Sequence, residues 1–96
     1  MTATRAWPEG RWRLHPRVAL RPEPFGALAY HYGNRRLNFL RSHDLVTVVR
    51  ELEEHGSVHD ALEACEIAYS RRPAFERALG ALARSDFLEP VPASSD

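Results

Sequence analysis

The stretch Gly26-Ala-Leu-Ala-Tyr-His-Tyr-Gly-Asn-Arg-Arg-Leu-Asn-Phe-Leu40 decides the fold. It holds two runs of strand-forming residues separated by Gly33-Asn34, a pair that suits a two-residue hairpin in which Gly supplies the positive φ of a type II′ turn. That turn sets Tyr32 opposite Arg35, Tyr30 opposite Leu37 and Leu28 opposite Phe39. Leu28, Tyr30, Leu37 and Phe39 then share one face, while Ala27, Ala29, His31, Arg36 and Asn38 share the other. A slip of one residue would scatter both sets. The register is therefore self-consistent.

Upstream, Val18 and Leu20 alternate with charged or small neighbours, and the run is expected to end at Pro22 and Pro24. Downstream, after Arg41, the period changes from two to about 3.6. Ser42 is the expected N-cap of a helix over 43–55, with Leu45, Val48, Val49 and Leu52 on one stripe. Gly56 closes it, and Ser57-Val-His-Asp60 opens a short helix carrying Val58, Ala61, Leu62 and Cys65. Pro73 suits the first turn of a third helix with Phe75, Ala78, Leu79 and Leu82 inside, and Phe87 and Leu88 fold back beneath it. Three strands then three helices make an α+β chain: a small three-stranded antiparallel sheet followed by a three-helix cluster, winged-helix-like.

The whole chain has 96 residues, enough for one domain and its core. Residues 13–89 are expected to form that domain, with 1–12 as a Trp-containing tail that docks on the body and 90–96 as a disordered end. No internal repeat or low-complexity tract interrupts it. Thirteen basic residues, all Arg, balance thirteen acidic ones. That counts against a protein whose main task is coating nucleic acid. A single cysteine requires no oxidising compartment, and neither a signal h-region nor a long apolar run is present, so a cytoplasmic protein without membrane contact is expected.

Chemistry-bearing patterns are sparse. His55, His59 and Cys65 have loosely metal-like spacing, but Gly56-Ser57 breaks the helix between the two His, so no metal site is expected. Cys65 sits on an apolar stripe, as small core residues do. No nucleophile elbow or phosphate loop occurs, so no catalytic residues and no cofactor are expected. Binding remains. Arg35-Arg36 and Arg41 flank one strand, and Arg71-Arg72 precede the third helix. Two readings compete: the third helix contacts DNA, or the strand Arg35–Leu40 is an open edge that accepts a peptide as an added strand. Residues 70–89 carry four Arg against Glu76, Asp86 and Glu89, a thin surplus for a DNA reader.

The run His15-Pro-x-Val18-Ala-Leu-Arg-Pro-Glu-Pro-Phe-Gly-Ala-Leu28, with Tyr30-His31-Tyr32-Gly33 and Arg36-Leu37, resembles the precursor-peptide chaperones of mycofactocin biosynthesis, which are PqqD-like recognition elements. The similarity spans about residues 12–89 and includes Phe75-x-x-Ala-Leu-x-x-Leu82. It implies a non-catalytic chaperone that binds the leader of a ribosomally made precursor peptide and delivers it to a radical S-adenosylmethionine maturase. The implied groove uses the backbone of Arg35, Arg36, Leu37, Asn38, Phe39 and Leu40. Its wall is the third-helix region, with Arg71, Arg72, Phe75 and Leu79 as candidates. A small winged-helix DNA-binding regulator is the alternative.

Overall fold

The computed structural model describes residues 7–92. The elements, in order, are β1 (Trp12–Leu14), β2 (Val18–Glu23), β3 (Gly26–His31), β4 (Leu37–Leu40), α1 (His43–Glu51), α2 (Val58–Ala64), α3 (Arg72–Arg84) and β5 (Leu88–Pro90). Short 3₁₀ turns at Leu52–Glu54 and Tyr69–Arg71 extend α1 and lead into α3. The fold is α+β, with a three-stranded antiparallel sheet in the order β2-β3-β4 and a separate two-stranded sheet of β1 and β5.

The β3–β4 register places Leu28 opposite Phe39 and Tyr30 opposite Leu37, as the alternation requires. Two details differ from expectation. First, the turn is wider than two residues. His31 N donates to Arg36 O and Arg35 N donates to His31 O, so residues 32–35 form the loop. The positive φ falls on Arg35, at 65°, and Gly33 does not have one. Gly33 is needed for space instead: a Cβ there would sit 2.7 Å from His31 Cε1. Second, β2 runs through Pro22, which pairs with Ala27, and stops at Glu23. Pro is tolerated because β2 is an edge strand.

The core lies on the small-residue face of the sheet. Ala27, Ala29 and Leu40 are buried there against Val48, Val49 and Leu52 of the α1 segment, Val58, Ala61 and Leu62 of α2, and Leu79 and Leu82 of α3. Alanines let α1 approach the central strand closely. The caps form as the sequence indicates: Ser42 Oγ accepts from Leu45 N and Ser57 Oγ accepts from Asp60 N, both at 3.0 Å. Both α2 and α3 end on a non-glycine residue in the left-handed region, Glu66 (φ 59°) and Asp86 (φ 70°). In each case the next N–H reaches back over the last turn, Ile67 N to Leu62 O and Phe87 N to Leu82 O.

The segments at either end of the described residues pair with each other. Trp12 is buried, pairs with Pro90, and its indole donates to Glu9 O. Trp7 packs edge-on against it, at 4.8 Å between ring centroids. Pro90 belongs to β5 and Val91 N donates to Arg11 O. The remainder of both expected tails, 1–6 and 93–96, lies outside the described residues.

Candidate functional site

Strand β4 is an edge of its sheet, and among the described residues nothing pairs with its outer side. Which of its backbone groups are available follows from the hydrogen-bond alternation of an antiparallel pair. His31 N bonds Arg36 O toward β4, whereas Tyr32 N bonds Arg17 O toward β2. Odd residues of β3 therefore face β4, and the bonded pairs are Ala29 with Asn38 and Ala27 with Leu40. Leu37 and Phe39 occupy the alternate positions. Their N–H and C=O groups point to the open edge, two donors and two acceptors in register for an incoming strand.

A helix runs beside that edge. At one end Asn34 Nδ2 donates to Ser85 O, just past the end of α3. At the other, Arg41, Ser42 and Leu45 share a cleft of about 180 Å³ with Ala74, Phe75 and Ala78 at the start of α3. Strand β4 thus runs along α3 in the opposite direction, with the cleft at its C-terminal end. The cleft is largely apolar, as a peptide anchor pocket requires. Arg71 stands at its rim. Its guanidinium lies 5.0 Å from the Phe75 ring centroid and Nη1 pairs with Asp44 Oδ2 at 2.9 Å.

The residues expected at the site divide accordingly. Arg35, Arg36, Leu37, Asn38, Phe39 and Leu40 lie in the loop and on β4, and Phe75 lines the cleft. Leu40 and Leu79 are buried in the core, so Leu79 supports the cleft from beneath and does not line it. Arg72 is 8% exposed and tied inward. Its Nε donates to Ile67 O, Nη1 pairs with Glu63, and the guanidinium covers the Tyr69 ring. It joins α2 to α3, and its charge is not presented to a peptide. Leu45, Ala74, Ala78 and Ser42 were missed by sequence reasoning. Their signal was present but weak: Leu45 and Ala78 sit at the margins of their helical stripes, where half-buried residues fall.

Another cluster has a ligand-like composition. His15, His31 and Asp86 bring ring nitrogens and a carboxylate oxygen within 4.8 Å of one another. The backbone fixes what those rings can do. Arg17 N donates to His15 Nδ1, and Gly33 N and Asn34 N donate to His31 Nδ1. With Nδ1 an acceptor on each neutral ring, Nε2 carries the proton. Nε2 of each ring faces Asp86 Oδ2, at 3.7 and 3.3 Å, without closing a hydrogen bond, and neither ring offers the lone pair a metal needs. The cluster is a polar clasp between the β3–β4 loop and the end of α3. His55 lies against Glu51. Partial burial, then the Glu51 and Asp44 carboxylates, push the Cys65 thiol pKa up and favour its protonated, less reactive form.

No helix among the described residues is long and apolar enough to cross a membrane. The sequence profile of the Peptide chaperone MftB family matches residues 11–89. Peptide chaperone MftB of Mycolicibacterium smegmatis is 46% identical over 83 residues, covering 86% of this chain and 81% of that protein. The Mycobacterium ulcerans protein of the same name is also 46% identical, and that of Mycobacterium tuberculosis 41%; each match covers 86% of this chain and 76% of the relative. No solved structure matches.

Proposed function

The chain belongs to the Peptide chaperone MftB family, whose members are non-catalytic, and from that premise we propose how it holds its peptide and where it takes it. The bound segment is the leader of a ribosomally made precursor peptide, added to the sheet as a strand alongside β4. The architecture in this reading is the winged-helix-like, PqqD-like one, and the peptide goes on to a radical S-adenosylmethionine maturase of mycofactocin biosynthesis. The maturase brings the iron–sulfur chemistry, and this chain contributes no cofactor.

One observation carries the reading: the outward N–H and C=O groups of Leu37 and Phe39 lie on an unpaired edge that runs alongside α3 to the apolar cleft. An unpaired edge is a liability unless covered or used. A peptide strand satisfies these groups with up to four ladder bonds, each contributing about 0.5–1.5 kcal/mol. One apolar side chain seated among Leu45, Phe75 and Ala78 adds about 1.5–3 kcal/mol. Ordering the peptide costs several kcal/mol. After that cost the sum falls below the roughly 8 kcal/mol of a micromolar complex, so the peptide needs further apolar anchors beyond this edge and cleft. Arg35, Arg36 and Arg41, all exposed along this edge, favour an acidic leader.

The test is amide NMR of labelled protein titrated with the candidate precursor peptide and, separately, with duplex DNA. Shifts confined to residues 34–45 and 70–84 with peptide, and none with DNA, are expected. Shifts elsewhere, or with DNA alone, would overturn the assignment of this edge.

A further inference from the structure

The outer face of the β2-β3-β4 sheet has an unexpected composition. Small residues face the core, and the large ones face out. Tyr32 and Leu37 are each 58% exposed, Phe39 49% and Phe25 44%. Phe25 packs on Phe39 and Tyr30 on Tyr32, and half-buried Leu28 lies between the two pairs. Contiguous apolar surface of this kind on a small protein marks an interaction face. It is distinct from the peptide edge, because on β4 the backbone faces sideways while Leu37 and Phe39 point their side chains outward.

Charge narrows the occupant. Residues 17–41 carry five Arg and the single Glu23, whereas residues 43–66 carry seven carboxylates and the single Arg50. The zero net charge therefore conceals a basic sheet beside the acidic α1 and α2, while α3, with three Arg against Glu76, is itself basic. Two copies meeting through this face would set Arg against Arg. A single-stranded nucleic acid would need open ring faces for stacking. Here the guanidinium of Arg41 lies 5.3 Å over the Phe39 ring, and the tyrosines meet edge to face at 4.8 Å. An acidic protein surface studded with apolar side chains satisfies both features.

Resting on the reading that the chain delivers a peptide to an enzyme, we infer that the outer sheet face is where that enzyme docks, through carboxylates ringed about apolar side chains. Peptide and enzyme then occupy the same strand at once, the peptide on its backbone edge and the enzyme on its side chains. Delivery requires no exchange of one for the other.

The experiment measures binding of the full chain to the maturase and to the precursor peptide in separate titrations, for wild type and three variants. Y30S/Y32S removes the aromatic pair. A19E and A19R place opposite charges at an exposed position on the same face, and none of these residues belongs to the peptide edge or cleft. Each variant is first checked for a wild-type amide spectrum outside the sheet. The expected result is a loss of maturase affinity of at least tenfold for Y30S/Y32S and for A19E, and a distinctly smaller loss for A19R, with peptide affinity held within twofold. Maturase binding that is unchanged in Y30S/Y32S overturns the inference and leaves the delivery reading standing. Equal losses for A19E and A19R overturn the acidic character of the partner. Wild type that binds peptide but never the maturase overturns the delivery reading and this inference together. A wild-type dimer that Y30S/Y32S dissociates, or single-stranded oligonucleotide binding that it abolishes, assigns the face to another occupant and overturns the proposal.

Discussion

Asp86 Oδ2 stands 3.3 Å from Nε2 of the buried His31, which brings the end of α3 against the hairpin loop that precedes β4. The other nitrogen of the ring accepts from Gly33 N and Asn34 N. One side chain thus shapes the loop on one side and docks it on the other. Replacing His31 by Phe keeps the bulk and leaves Gly33 N and Asn34 N without their side-chain acceptor, costing about 1 kcal/mol. Urea unfolding should show a midpoint shift without a change in slope.

Gly33 offers a sharper check of the same arrangement. Gly33→Ala forces a methyl against His31 Cε1, and overpacking of this kind costs about 1–3 kcal/mol. If space is the reason for the glycine, the cost largely disappears in a His31→Ala background. A double-mutant cycle reads this directly. An equal cost in both backgrounds would mean that the constraint lies in the backbone.

Proline distinguishes the two sides of β4. Leu37→Pro removes an N–H that faces the open edge, so the fold should survive while peptide affinity falls about tenfold. Asn38→Pro removes an N–H that bonds Ala29 O and leaves that buried carbonyl unpaired, costing stability by about 1–3 kcal/mol. Calorimetric titration and thermal unfolding, run on both variants, should give opposite rankings.

Ala78→Met fills the cleft from a half-buried position. It should leave the melting temperature nearly unchanged and reduce peptide affinity at least tenfold. Arg35→Glu with Arg36→Glu should act differently, slowing association and doing so more at low salt than at high. An association rate with the same salt dependence as wild type would remove the electrostatic role of this pair.

Cys65 gives a pH-linked expectation. Its thiol pKa is raised in the folded protein, so the unfolded chain releases that proton first as pH rises. The stability this group contributes is full below the thiol's ordinary range and is lost as pH rises through the folded value. Native alkylation at pH 8 should therefore be slower than in denaturant, where burial and the neighbouring carboxylates no longer act.

The hairpin register was legible because its alternation leaves no second solution, and Ser42, Ser57 and Pro73 announced their helices by local chemistry. The turn was not legible. Its geometry depends on the His31 ring, a tertiary feature, and Arg35 bears the left-handed conformation in place of a glycine. The orientation of the sheet was also hidden, because a two-residue period separates the faces without saying which is inside. Close approach of α1 selects the alanines for the core. Strands β1 and β5 are three residues each and lie far apart in the chain, too short to show a period. Arg72 looked like surface charge, and only the meeting of α2 and α3 buries it.

The pairing of β1 with β5 has a mechanical consequence. Trp12 at the start of one strand lies opposite Pro90 at the end of the other, so a pull on the two chain ends strains one pair at a time, as in a zipper. Tension applied there opens the three-rung clasp before it loads the longer β2-β3-β4 ladder. A molecule tugged by its ends would part Val91 from Arg11, then Trp12 from Pro90, and keep its β4 edge intact.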